Sequence, residues 1–205
     1  MQVLAMITML IDHLGVIFFK GDAWRIIGRL AFPLYAYGIV QGYLRTRSLK
    51  KYVLRLSLLA AVSQFPFMYA LDKLQFNVLV TFVLSLFVLV AVDRVPFMWA
   101  RVGIGAAGVV LMEIIPMDYG SYALLLILVF RFVPVDGLLL THFVLNLAFW
   151  GFKGWELQLY SLAATFLINY PQLIRRLSEV RVPRWFWRGF YPAHLAALAM
   201  LRYLV

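Results

Sequence analysis

The chain runs to 205 residues, 64% of them hydrophobic and 14% charged, with a mean hydropathy of +0.89 and a formal net charge of +10. Soluble domains hold roughly 45–50% apolar and about 25% charged residues, so a water-soluble globule is excluded, and the length goes into membrane spans in a single domain, 1–205. The absence of Cys excludes disulfides, thiolate chemistry and a Cys-built metal site, and the basic excess calls for no nucleic acid, because basic loops beside anionic membrane lipid account for it.

Cut where charges, Pro and Gly cluster, the chain gives apolar segments at 1–19, 26–43, 53–69, 77–92, 98–115, 120–133, 136–150, 155–169 and 189–204. That pattern predicts an all-α, polytopic transmembrane helical bundle of about nine helices. Several segments fall short of the ~20 residues that cross a bilayer upright, so eight spans with re-entrant half-helices is the alternative. The first segment has no basic stretch before it and no small-residue cleavage site after it, which predicts a retained first span rather than a signal peptide.

The connection after the second segment carries Arg45, Arg47, Lys50, Lys51 and Arg55, and the one before the last carries Arg175, Arg176, Arg181, Arg184 and Arg188. Nine spans with a cytoplasmic N-terminus put both on the inner side with Arg94, Arg101 and Arg131. Lys20, Arg25, Lys73 and Lys153 are left outside, as the positive-inside rule requires. An eight-span version lacking one early helix would separate the two basic loops.

Polar groups inside spans are costly and face a bundle interior or a water-filled cavity. In MLIDHLG, residues 9–15, Asp12 stands beside His13 in the outer half of the first helix. Adjacent helical residues point about 100° apart, so each needs a partner on another helix. Arg29 in GRLAFP is one candidate partner. It precedes Pro33 by four residues, and a proline cannot donate to the Arg29 carbonyl, which leaves that oxygen for a ligand or water.

Further along, Ser63 and Gln64 precede Pro66, and Asn77, Thr81 and Ser85 recur at helical spacing. His142 and Asn146 share one face, as do Tyr191 and His194, near the predicted inner end of the last helix. All three histidines therefore fall within spans. Each feature also has a plainer reading: Ser/Thr/Asn stripes as interhelical glue worth ~0.6 kcal/mol per contact, prolines as kinks, His142 and His194 as packed, hydrogen-bonded side chains. The aromatic run WFWRGFYP at 185–192 suits an interfacial belt. No His-Glu-x-x-His pattern, phosphate-cradling glycine loop or Gly-x-Ser-x-Gly elbow is present, and no metal site is expected. The chemistry left open is general acid or base catalysis by an imidazole in a membrane cavity. The rival classes are a proton-coupled small transporter and a non-catalytic assembly factor for a small hydrophobic partner.

MITMLIDHLG, IIGRLAFPLYAYGIVQGYLRTRSLKKYVLRL, SQFPF and YPAHL, in that order along the chain, resemble the TraX family, named for a conjugative pilin acetyltransferase. More distantly, Leu4-Ala5, Met9 and His13 are similar to the first helix of the acyltransferase-3 and heparan-glucosaminide acetyltransferase type of membrane enzymes. The resemblance implies an enzyme of a bacterial-type inner membrane, moving acetyl from cytosolic acetyl-CoA to an acceptor within or across the membrane: a protein or peptide N-terminus, a sugar or a lipid. On that reading His13 is the base, with Asp12 and Arg29 as its catalytic companions. His194 and Tyr191 meet the thioester arm, and Arg45, Arg47, Lys50 and Lys51 dock the CoA phosphates. Gln64, Asn77, Thr81 and His142 are left as substrate contacts. With His13 outward and His194 inward, one site is expected to need a tunnel.

Overall fold

The structure is a computed structural model and describes residues 1–174, 180 and 182–204, Arg184 by its backbone alone. Its α-helices are α1 (Gln2–Leu14), α2 (Asp22–Gly28), α3 (Ala31–Arg45), α4 (Leu49–Leu71), α5 (Val78–Arg94), α6 (Met98–Ile114), α7 (Gly120–Phe132), α8 (Val135–Lys153), α9 (Leu162–Asn169) and α10 (Arg184–Leu204). A 3₁₀ turn, Glu156–Ser161, leads into α9. The molecule is thus an all-helical bundle, and each apolar segment read from the sequence is occupied by helix. By length and composition, Gln2–Phe19, Leu49–Leu71 and Val135–Lys153 can each cross a membrane. The shorter α7 is sheathed by its neighbours, with Tyr122, Leu124, Leu126 and Ile127 fully buried.

Two expectations are corrected. The second apolar segment is not one continuous helix, although Arg29 and Leu30 at its bend both keep right-handed helical dihedrals. It breaks at Arg29 and Leu30 into α2 and α3, and Pro33 sits in the first turn of α3, where a missing N–H costs nothing because that donor has no intrahelical acceptor. The last helix begins at Arg184, five residues earlier than predicted, because the Trp/Phe/Arg run continues the helix instead of preceding it. His194 therefore lies mid-helix.

Through the bend at Arg29 and Leu30, α3 runs on from α2, and the helix connections sort to two ends of the bundle. At one end Tyr43 of α3 donates to Asp93 of α5 (2.9 Å), which Arg131 of α7 grips through both Nε and Nη2 (3.1 Å each). That end also carries the exposed Arg45, Arg47, Lys50 and Lys51. Arg175, Arg176 and Arg181 of the second basic loop, and the side chain of Arg184, lie outside the described residues.

At the opposite end the α4–α5 and α6–α7 connections clasp. Phe76 N–H donates to the Pro116 carbonyl (3.0 Å) and Asp118 N–H to the Phe76 carbonyl (2.9 Å). Phe32, Phe82, Leu86, Leu89, Tyr122 and Ile127 pack the middle as one core, and Met9, Phe67, Tyr191, Leu195 and Leu198 pack α1, α4 and α10 together.

Candidate functional site

Asp12 and His13 part as adjacent helical residues must. Asp12 faces the α2–α3 junction, where Gly28 lets the helices touch: a Cβ at Gly28 would collide with the Asp12 side chain. There the carboxylate accepts from Arg29 Nη2 (3.0 Å) and pairs with Arg25 Nη1 (3.4 Å). Below it, Gly15 leaves room for Trp24, and the end of α1 loosens into a wider turn in which Lys20 N–H reaches back to the Gly15 carbonyl (2.7 Å).

His13 turns the other way, to α10. Its Nδ1 lies 2.8 Å from Nε2 of His194, with the two rings within 3° of parallel, and Nδ1 of His194 lies 2.7 Å from the Phe190 carbonyl. A carbonyl only accepts, so His194 carries its proton on Nδ1 and presents a lone pair at Nε2. His13 then donates from Nδ1, and its own lone pair falls on Nε2. That nitrogen has no hydrogen-bond partner among the described residues, and His13 lines a cavity. The expected separation of the two histidines is thereby replaced by direct contact, and no tunnel is needed to join them.

The cavity, of about 400 Å³, lies at the end of the bundle away from the basic connections. Apolar side chains of Met9, Phe32, Leu79 and Phe82 form its inner wall, and Asp12, Arg25, Arg29, Lys73, Asp118, Tyr119, Glu156 and Gln158 supply polar groups. Tyr35 closes it toward the basic end, with Trp187 stacked on its ring at 5.0 Å. Burial pushes the Asp118 carboxyl above its usual range, and nearby Lys73 opposes that shift.

Arg29 is tied on three sides: Nε to the Arg25 carbonyl (3.3 Å), Nη1 to Gln158 Oε1 (3.3 Å) and Nη2 to Asp12. Gln158 leads in turn to a sealed polar cluster. Its Nε2 donates to Tyr122 Oη (3.1 Å), which lies 2.7 Å from Asn146 Oδ1 and 2.8 Å from His142 Nε2. The His142 Nδ1 meets Thr165 Oγ1 at 2.6 Å.

Of the residues singled out in the sequence, Asp12, His13, Arg29, Tyr191 and His194 converge here. His142 stands behind the wall, without access to the cavity. Asn77 is the N-cap of α5: its Oδ1 accepts from Leu79 and Val80 N–H, and its Nδ2 donates to the Ala60 carbonyl and to Gln64 Oε1. Gln64 and Thr81 are likewise engaged with the backbone of Gln75 and Asp118. These three side chains clasp helices and do not line the cavity.

Arg45, Arg47, Lys50 and Lys51 are not brought near. The α3 helix alone puts about 21 Å between Ala31 and Arg45 at ~1.5 Å per residue, with Val40, Leu86 and Leu89 buried in the core between the two ends. Sequence reading missed Arg25, Lys73, Asp118, Tyr119, Glu156 and Gln158. For Arg25 the signal was available, as it precedes Arg29 by one helical turn on the same face. The others sit at helix ends or in connections, where no periodicity marks them.

No solved structure matches this chain. It is similar to the probable fimbrial assembly protein FimC, serogroup H1, of Dichelobacter nodosus, 31% identical over 81 residues that cover 36% of this chain and 33% of the relative. The chain thus matches about a third of that relative's length. The family described as TraX protein matches residues 1–202. With nearly its whole length inside that match, the chain belongs to the TraX family.

Proposed function

We propose that this chain is a membrane acetyltransferase of pilus or fimbrial assembly, moving an acetyl group from acetyl-CoA to an amine or hydroxyl of an acceptor through His13. The observation that carries the reading is the Nε2 of His13, without a hydrogen-bond partner among the described residues, on a side chain that lines the same cavity as Arg29 while its Nδ1–H is held by His194. The family resemblance and the fimbrial assembly name of the D. nodosus relative supply the biological setting and the choice of acyl group.

In the proposed reaction His13 Nε2 takes the proton of the acceptor N–H or O–H as that atom attacks the thioester carbonyl. Negative charge gathers on the carbonyl oxygen, next to the fixed positive charge of Arg29. The C–S bond then breaks, and His13 returns its proton to the departing thiolate, leaving free CoA and the acetylated acceptor. His194 fixes the His13 tautomer and ring plane throughout. The thioester end of acetyl-CoA occupies the cavity, and the basic quartet at Arg45–Lys51 serves orientation in an inner membrane.

The test is acetyl-CoA binding to the purified protein, followed as a thermal shift with free CoA and His13→Ala alongside. A ligand of the folded state stabilises it by RT ln(1 + [L]/Kd), so even weak binding registers at excess. A shift with acetyl-CoA supports the enzyme. No shift at millimolar donor removes it and leaves a non-catalytic assembly role, the second reading favoured by the relative's name.

A further inference from the structure

The sealed cluster behind the cavity has one consistent arrangement of protons. Asn146 Nδ2 donates to the Gln158 carbonyl (3.0 Å), so its Oδ1 is turned to Tyr122 and can only accept. The single hydroxyl proton of Tyr122 is thereby committed to Asn146. The Tyr122 oxygen must then accept from His142 Nε2 and Gln158 Nε2, while Ser161 Oγ, 3.2 Å from the same His142 nitrogen, accepts from Asn146 Nδ2. His142 is fixed with its proton on Nε2, and its Nδ1 accepts from the Thr165 hydroxyl. Gln158 is fixed with its amide nitrogen toward Tyr122 and its oxygen toward Arg29, and a flip would set two donors against the guanidinium and leave the Tyr122 oxygen short of one.

Arg29 has five N–H groups, and three are taken, one each by the Arg25 carbonyl, Gln158 Oε1 and Asp12. Two remain, one on each terminal nitrogen. Which two remain is decided by where Gln158 Oε1 and Asp12 stand.

We infer that Tyr122, His142 and Gln158 are positioning residues that act as a relay, holding the Arg29 guanidinium so that one free N–H on each terminal nitrogen is presented to the cavity as a pair of hydrogen-bond donors for a developing oxyanion. The relay stands on the hydrogen bonds alone. Only its kinetic consequence rests on the acetyl-transfer reading. Tyr122 and His142 never touch substrate, and a sealed, fully committed cluster suits a part that must not move during turnover, because small displacements of catalytic groups are costly.

The first measurement needs no turnover. In protein labelled with ¹⁵N-arginine, the Nη signals of Arg29, identified by their loss in Arg29→Lys, are expected to be distinct in the wild type and to average in Tyr122→Phe and in Gln158→Leu, as the guanidinium gains rotation. Distinct signals in both variants overturn the relay whatever the activity does. Two variants are used so that a folding failure in one leaves the other to decide.

The second measurement is a double-mutant cycle on acetyl transfer. Tyr122→Phe is expected to lower kcat by up to about 10²-fold, with KM for the donor unchanged, and to lower it no further in an Arg29→Lys background. Equal losses in both backgrounds overturn the coupling. Averaged Nη signals together with no acetyl transfer by the wild type would remove the enzyme reading and leave the relay standing.

Discussion

The two histidine clusters use the same chemistry to opposite ends. Around His142 every valence is spent: Thr165 on Nδ1, Tyr122 on Nε2, with Asn146, Ser161 and Gln158 closing the ring. Around His13 the chain of donors runs from His13 Nδ1 through His194 to the Phe190 carbonyl and stops there, with Nε2 left over at a cavity wall. A buried imidazole with both nitrogens satisfied is a fixed part of the framework, whereas one with a spare lone pair beside a cavity can take a proton. Counting hydrogen-bond valences therefore separates the two roles, which burial alone does not, because both rings are buried.

The comparison breaks most sharply at His13. His13→Ala is expected to lower acetyl transfer by about 10²–10⁴-fold, the usual worth of a general base, while the protein keeps its detergent-solubilised fold by circular dichroism. Activity within a few-fold of wild type would move the base elsewhere.

His142→Ala is expected to act on stability first, with a smaller loss of turnover that passes through Arg29. It strands the Tyr122 and Thr165 partners in a dry cluster and costs about 1–3 kcal/mol of stability, seen as an earlier midpoint in chemical denaturation. If His142→Ala leaves the midpoint in place and abolishes turnover, the roles assigned to the two clusters are exchanged.

Gly28→Ala sharpens the comparison from the side of the backbone. The new methyl runs into Asp12 and is expected to cost about 1–3 kcal/mol by overpacking, with weaker activity because Asp12 must leave Arg29. Gly38 has open space about it, so Gly38→Ala is the control, and equal effects at both glycines would argue against a close α1–α2 contact. Smallest of all is Lys50→Ala, at the far end of the bundle, where a change within about 0.5 kcal/mol is expected and the donor KM should hold. A tenfold rise in that KM would return the CoA phosphates to the basic loop.

Much of this was legible in the linear chain, and the reason differs by element. The helices follow from apolar runs cut by charge, Pro and Gly, which are local signals. Asp12, His13 and Arg29 could be picked out because a charged or titratable group in a hydrocarbon run has to be explained. The Asn77–Thr81–Ser85 stripe was equally visible, but a stripe does not say what it meets. Asn77 turns out to face the backbone of α4, Thr81 that of the α6–α7 connection, and Ser85 faces Met112. Gln158 gave no signal, since a glutamine in a short connection is ordinary until its two neighbours are known.

The sequence by itself determined the solvent, the helical class and the presence of costly polar groups within the apolar segments. All of these depend on composition and on residues a few positions apart. Tertiary structure alone decided that His13 meets His194 across 181 positions, that Arg29 is held by both Asp12 and Gln158, and that His142 is sealed. Hydrogen-bond partnership between helices depends on their depth and rotation in the bundle. Those are set by packing surfaces such as Gly28 against Asp12 and Gly15 against Trp24, and no local pattern encodes them.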